Sequence, residues 1–275
     1  MATQRDPTGR GPDPAKDTQL LKGTGFTEAD TEVKPRVILS VEGREKEGKT
    51  SMALSAPGPI GVINMDLGLE GVVHKFARDK KVYVSSYQLP STTRGNAKEV
   101  ADEADKVWTS LMADYKAALR SFRTVVMDTA TEVWELLRLA RFGKLAQVMP
   151  HHYTTVNSEF REMLRMAYDG NANLILVHKM KPVWIDIPDG KGGTKGSKTG
   201  EYERSGFGDT GFIVQASVRV SRIVTDTPGD DGFRLHVLTC RQNAELTGQV
   251  LQAPMNTFPY LASMILPETS PETWS

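Results

Sequence analysis

The stretch Gly43-Arg44-Glu45-Lys46-Glu47-Gly48-Lys49-Thr50 constrains this chain more than any other. It has the pattern G-x-x-x-x-G-K-[ST], a loop whose backbone N–H groups cradle phosphates. Val37-Ile38-Leu39-Ser40-Val41 precedes it, a short β-branched run that reads as a buried strand. Thr50-Ser51-Met52-Ala53-Leu54-Ser55 follows and reads as the first turns of a helix. The pattern needs that context, because a helix N-terminus leaves backbone donors free and the glycines let the chain curl around an anion. Gly43 to Ser51 are therefore the expected nucleotide-binding residues. Lys49 is expected on the β- and γ-phosphates of ATP, and the Thr50 hydroxyl on Mg²⁺.

Composition excludes several alternatives. The 275 residues carry 34 basic and 34 acidic side chains, so nucleic-acid binding cannot rest on net charge and needs a local basic surface. The single cysteine, Cys240, excludes an internal disulfide framework and a cysteine-rich zinc site, and it sits in an apolar run as a core thiol would. No apolar stretch approaches the length needed to span a bilayer, and the N-terminus has no apolar signal core. A cytoplasmic protein with no membrane partner is the expectation.

Residues 1–33 are rich in Gly, Pro, Asp, Thr and Lys and read as a flexible tail. The folded part is expected over residues 34–250, with a proline-containing tail over 251–275. Residues 97–122 read as a long helix, with Val100, Val107, Leu111, Ala118 and Phe122 on one face. Residues 131–148 and 155–168 read as two more helices. Short apolar runs at 60–63, 82–87, 124–127 and 173–177 read as strands, and residues 212–224 and 232–241 as an antiparallel pair. Strands alternating with helices predict an α/β fold, a mainly parallel sheet flanked by helices with an antiparallel edge.

Hydrolysis at such a loop needs an acid near the metal and a group to orient water. Asp128 ends an apolar strand, so it is the expected Mg²⁺-associated acid, unless it or Thr129 merely caps the next helix. Asp66 and Glu70 follow another strand, and Asp66, nearer its end, is the first choice to polarise the attacking water. Otherwise Asp66 caps a turn and Glu70 is a solvated helix charge. His178 ends a further strand, where a polar tip is placed to sense the γ-phosphate, although a lone histidine is commonly structural. Residues 188–206 hold a glycine- and lysine-rich stretch, either a solvated linker or a loop that follows a phosphate backbone.

At these residues the chain resembles the RecA-type ATPase core, and within it the RecA-like ATPases of bacteriophages, some of which anneal single strands. The resemblance covers about residues 34–250. Val62-Ile63-Asn64-Met65-Asp66 is similar to the strand that ends in the RecA catalytic glutamate, with Asp66 one methylene shorter. Leu174-Ile175-Leu176-Val177-His178 is similar to the strand that ends in a polar γ-phosphate switch. The resemblance implies that Lys191, Lys195 and Lys198 lie in a DNA-contacting loop and that Ala216-Ser217-Val218-Arg219-Val220 follows it. It also implies a homo-oligomer, ring or filament, in which Arg241 reaches the neighbour's γ-phosphate. Single-stranded DNA and a single-strand-binding protein are the partners it implies. No C-terminal DNA-binding extension is expected.

The function expected is a DNA-dependent ATPase that promotes annealing or recombination. Trp184, just upstream of the glycine-lysine stretch, is placed either to stack on a base or to pack in a hairpin. A small-molecule phosphotransferase would use the same Lys49, Thr50 and Asp128, but the stretch 188–206 offers only Arg204 for an arginine lid. An ATP-dependent assembly module with little hydrolysis is the third reading.

Overall fold

A computed structural model describes residues 34–144, 149, 152–188, 193–223 and 232–275. Residues 35–275 fold as one unit, and the segment 1–33 lies outside the described residues. Ten strands are present among these: β1 Ile38–Glu42, β2 Ile60–Asn64, β3 Val82–Ser86, β4 Thr124–Asp128, β5 Asn173–His178, β6 Met180–Pro188, β7 Thr194–Arg204, β8 Ala216–Ile223, β9 Gly232–Cys240 and β10 Val250–Leu251. The helices are α1 Lys49–Leu54, α2 Val73–Phe76, α3 Ala97–Ser121, α4 Ala130–Phe142, α5 Tyr153–Met166, α6 Thr210–Ile213 and α7 Phe258–Ile265.

Eight strands form one sheet in the order β10-β9-β8-β1-β5-β4-β2-β3. From β8 to β3 every pairing is parallel, while β9 and β10 add an antiparallel edge. The expected α/β architecture is thus the observed one. Strands β1, β4 and β5 are buried along their whole length, which is why they read as continuous apolar runs rather than alternating ones. Two apolar layers flank the sheet, one built around α1 and α7 and the other around α3, α4 and α5.

Helix α3 shows how local chemistry sets an element. Asn96 accepts from the Glu99 N–H while the Glu99 carboxylate accepts from the Asn96 N–H, a reciprocal cap worth about 1 kcal/mol. Its buried stripe, including Val100, Trp108, Leu111, Tyr115 and Ala118, repeats at helical spacing.

Two expectations are corrected here. Residues 194–204 of the glycine-lysine stretch form strand β7, which pairs antiparallel with β6 in a separate two-stranded sheet, Ile187 facing Lys195 and Trp184 facing Lys198. Backbone pairing with an apolar-containing partner strand overrides a composition that reads as loop. Residues 251–275 form no tail. They carry α7 and a 3₁₀ turn, Pro271–Trp274, and bury Phe258, Leu261, Ile265 and Trp274 against the core. Pro259 and Pro271 sit at helix starts, where a missing N–H costs nothing. Cys240 is a buried free thiol, and among the described residues no helix is long and apolar enough to cross a membrane.

Candidate functional site

The register of the parallel strands fixes which residues meet at the carboxyl edge. Asn64 pairs with Asp128, Asp128 with Val177, His178 with Glu42 and Glu42 with Arg219. The loop Gly43–Thr50 leaves that edge directly from β1. Gly48 adopts φ 92°, and a side chain there would run into the Phe233 ring at 2.7 Å. Only glycine satisfies both the left-handed turn and the close approach of β9. Met52 N–H donates to the Gly48 carbonyl at 2.9 Å, so α1 starts at once and aims its N-terminus into the loop.

Lys49 folds back over the loop and its ammonium donates to the Arg44 carbonyl at 2.6 Å. Burial lowers its pKa, and Asp128, Glu47, Asp66 and Glu45 offset part of that effect. The Thr50 hydroxyl donates to the Asp128 carboxylate at 2.8 Å. Burial raises the Asp128 pKa and nearby Asp66 adds to this, against the Thr50 hydrogen bond and the charges of Lys49 and Lys179. A hydroxyl and a carboxylate side by side beside a phosphate loop are the hard oxygen donors that Mg²⁺ takes alongside phosphates and water. Among the described residues no group of three or more His, Cys, Asp or Glu could hold a metal.

Asp66 lies at the same edge, where Lys179 Nζ bridges it at 3.4 Å to Glu132 at 2.6 Å. Burial works against the Lys179 ammonium, but Glu132 and Asp66 outweigh it and its pKa is raised. Glu70 sits exposed in the turn after the 3₁₀ segment Leu67–Leu69.

His178 departs from the expected exposed tip. It is completely buried, and neither ring nitrogen has a hydrogen bond of ordinary geometry. Burial, aided by the Arg204 charge and opposed by the Ser205 backbone, pushes its pKa down to about 3. The segment after β7 passes beside it: a side chain at Gly206 would meet His178 Nδ1 at 3.8 Å. A neutral buried ring has a testable consequence. Below its ordinary value of about 6.5 the unfolded chain takes up a proton that the folded chain refuses. Stability is therefore fully present above about pH 6.5 and falls as pH drops toward 3, by up to about 1.4 kcal/mol per pH unit. Urea midpoints between pH 5 and 7 are expected to show this slope in the native protein and to lose that part of it in His178→Gln.

The position of Arg241 follows from strand direction. Strand β9 runs antiparallel, so Cys240 pairs with Ala216, and Ala216 with Leu39, at the amino edge of the sheet. Arg241 then lies roughly 16 Å along the strands from the loop of its own chain, with its guanidinium on the Phe212 carbonyl.

Glu42, Arg219 and Tyr202 escaped the sequence. Glu42, buried just before the loop, is paired with Arg219 at 2.6 Å. Arg44 stacks its guanidinium over the Tyr202 ring of β7 at 3.9 Å, a contact worth about 0.5–2 kcal/mol. Between loop and hairpin a polar cleft of about 620 Å³ is lined by Arg44, Glu47, Met180, Tyr202, Arg219 and Ser221. A larger cleft, about 860 Å³, opens beside Lys80, Lys81 and Thr257 and shares no residue with the phosphate loop. On the hairpin, Lys198 lies over the exposed Trp184 ring at 5.2 Å and Lys195 is exposed. Lys191 lies outside the described residues.

Among curated proteins none matches this chain. A solved KaiC-like protein from the hyperthermophilic archaeon Pyrococcus horikoshii OT3 is similar over 78% of this chain and 84% of its own, at 10% identity and a TM-score of 0.39. A likeness that distant carries no argument about chemistry. Residues 36–204 match the AAA_24 family model, described as an AAA domain, and they hold the loop, Asp66, Asp128, Lys179 and the hairpin. The match takes in more than half of the chain, which therefore belongs to the AAA_24 family of P-loop ATPase domains.

Proposed function

We propose that the chain binds Mg²⁺–ATP at Gly43–Ser51, hydrolyses it, and couples nucleotide state to single-stranded DNA held on the β6–β7 hairpin, in support of annealing or recombination. The observation that carries this reading is the Arg44–Tyr202 stack, which ties the phosphate loop to the hairpin directly. The resemblance to RecA-type ATPases supports the same coupling.

The loop N–H groups and the Lys49 ammonium hold the phosphates and take up charge that builds on them in the transition state. Thr50 and Asp128 would hold Mg²⁺, which when bound would neutralise charge on the phosphates. Asp66 accepts a hydrogen bond from the water that attacks the γ-phosphorus. The bond from that phosphorus to the β,γ-bridging oxygen breaks, and ADP leaves with the electron pair. On the hairpin, Lys195 and Lys198 offer charge to phosphates, and the exposed Trp184 face offers a stacking platform for a base. Assembly into a ring or filament, with Arg241 serving a neighbour's site, completes the proposal.

ATP turnover measured with and without single-stranded DNA tests it. DNA-stimulated turnover supports the reading, and turnover indifferent to DNA but dependent on a small acceptor would overturn it. Joint Lys195→Ala and Lys198→Ala replacement is expected to weaken DNA binding. It should also reduce the slope of log K against log salt by about 1.4, if each lysine neutralises one phosphate. An unchanged slope removes the hairpin from the DNA site. One observation favours the non-hydrolysing reading: the short Asp66 side chain is already engaged by Lys179. ATP-dependent oligomers without turnover would decide for it.

A further inference from the structure

Lys179 is anchored on every side. Its N–H donates to Thr131 Oγ1 at 3.0 Å, and its carbonyl accepts from Ser205 N–H at 2.9 Å. Thr131 Oγ1 in turn donates to the Ser205 carbonyl at 3.0 Å. Ser205 is the residue that follows β7, so the backbone of Lys179 is clamped between the start of α4 and the foot of the hairpin. Its ammonium is clamped as well. Glu132 stands in the first turn of α4, where the Thr129 side chain accepts from its N–H, and it holds Nζ at 2.6 Å. From that fixed point Nζ reaches the Asp66 carboxylate. Asp66 itself stands in a bend beyond β2, 41% exposed. Lys179 therefore joins three elements that are far apart in sequence: the water-side carboxylate, the helix after Asp128, and the hairpin. His178, its neighbour, is completely buried, and its ring nitrogens make no side-chain hydrogen bond of ordinary geometry.

We infer that Lys179 is a positioning residue: its ammonium, held by Glu132, fixes the Asp66 carboxylate for the attacking water, and the hairpin acts on hydrolysis through it. The inference rests on the proposed ATP hydrolysis at this edge. DNA seated on the hairpin shifts Ser205, Ser205 shifts the Lys179 backbone, and Nζ carries the shift to Asp66. No bond is made or broken by Lys179. It holds one carboxylate oxygen and so sets the direction of the carboxylate relative to the attacking water. A misplacement of about 1 Å in such a group costs up to about 100-fold in rate.

The experiment compares full-length wild type, Lys179→Met, Lys179→Arg, Asp66→Asn and the Lys179→Met/Asp66→Asn double variant. Turnover is measured with and without single-stranded DNA, and amide hydrogen exchange is followed over residues 65–70. Lys179→Met is expected to lower kcat about 10- to 100-fold with KM for ATP unchanged, and to erase the DNA stimulation. Lys179→Arg is expected to recover part of both, since a cation of similar reach remains. The double variant is expected to be no slower than Asp66→Asn, because the two residues act as a unit. A rise in KM at constant kcat would overturn the inference, as would losses that multiply in the double variant. An arginine no better than methionine would do the same. Hydrogen exchange keeps the test independent of turnover. Residues 65–70 are expected to exchange faster in Lys179→Met and at the wild-type rate in Lys179→Arg, and no change in Lys179→Met overturns the inference. A wild type without turnover sinks the hydrolysis reading, while the exchange data still decide whether Lys179 holds Asp66.

Discussion

Replacing Lys49 with alanine is expected to lower ATP turnover by about 100- to 1000-fold. In the free protein the ammonium rests on the Arg44 carbonyl, inside the loop and facing Asp128, Glu47 and Asp66. Burial costs the charge hydration, and the surrounding carboxylates return only part of it. A phosphate arriving in the loop supplies the missing partner, and the charge that builds on the phosphoryl oxygens during transfer strengthens the contact further. Alanine removes that contact while leaving the Gly48 turn and α1 intact, so folding is expected to survive. Steady-state turnover, with fluorescent-nucleotide titration beside it, checks this. An unaltered rate in a folded Lys49→Ala protein would place the nucleotide elsewhere. Lys49→Arg is expected to recover little, because a planar fork replaces a compact point charge.

Asp128→Asn is expected to lose turnover on the same scale, about 100- to 1000-fold, by a different route. Asparagine keeps the shape, and its side-chain oxygen can still accept from Thr50, so the contact seen at 2.8 Å need not break. What goes is the negative charge that makes the pair a site for a divalent cation. The Mg²⁺ concentration for half-maximal turnover is expected to rise about tenfold or more, while ATP binding without Mg²⁺ holds or tightens as a carboxylate near the phosphates is neutralised. Turnover and nucleotide binding titrated against Mg²⁺ separate these effects. An unchanged Mg²⁺ dependence would remove Asp128 from the metal site.

The contrast between Asp128 and His178 shows what strand-end reasoning delivers. Both residues end fully buried parallel strands, and both were expected to emerge at the carboxyl edge. Asp128 meets Thr50 there because β4 and the loop are neighbours through β5. His178 is instead fully buried, with Gly206 arriving beside its ring from beyond the hairpin. No local pattern announces that burial. Arg241 differs again: the antiparallel β8–β9 pair was legible, and its direction alone sends the far end of β9 to the opposite edge of the sheet. Lys179 and Glu132 were unremarkable in sequence because their importance lies in meeting Asp66, and the three belong to different elements.

The sequence by itself determined the phosphate loop, the strand before it, the helix after it and the mainly parallel sheet. Each depends on local terms: glycine conformation, helix-end donors, and apolar runs long enough for one strand. Tertiary structure alone decided that a glycine- and lysine-rich stretch becomes a strand, that His178 is neutral and sealed, and that Lys179 rather than His178 bridges the hairpin to Asp66. Those outcomes turn on burial and on charges brought within a few ångströms by segments distant in the chain. Desolvation and Coulomb terms depend on that three-dimensional neighbourhood, which residue order does not specify.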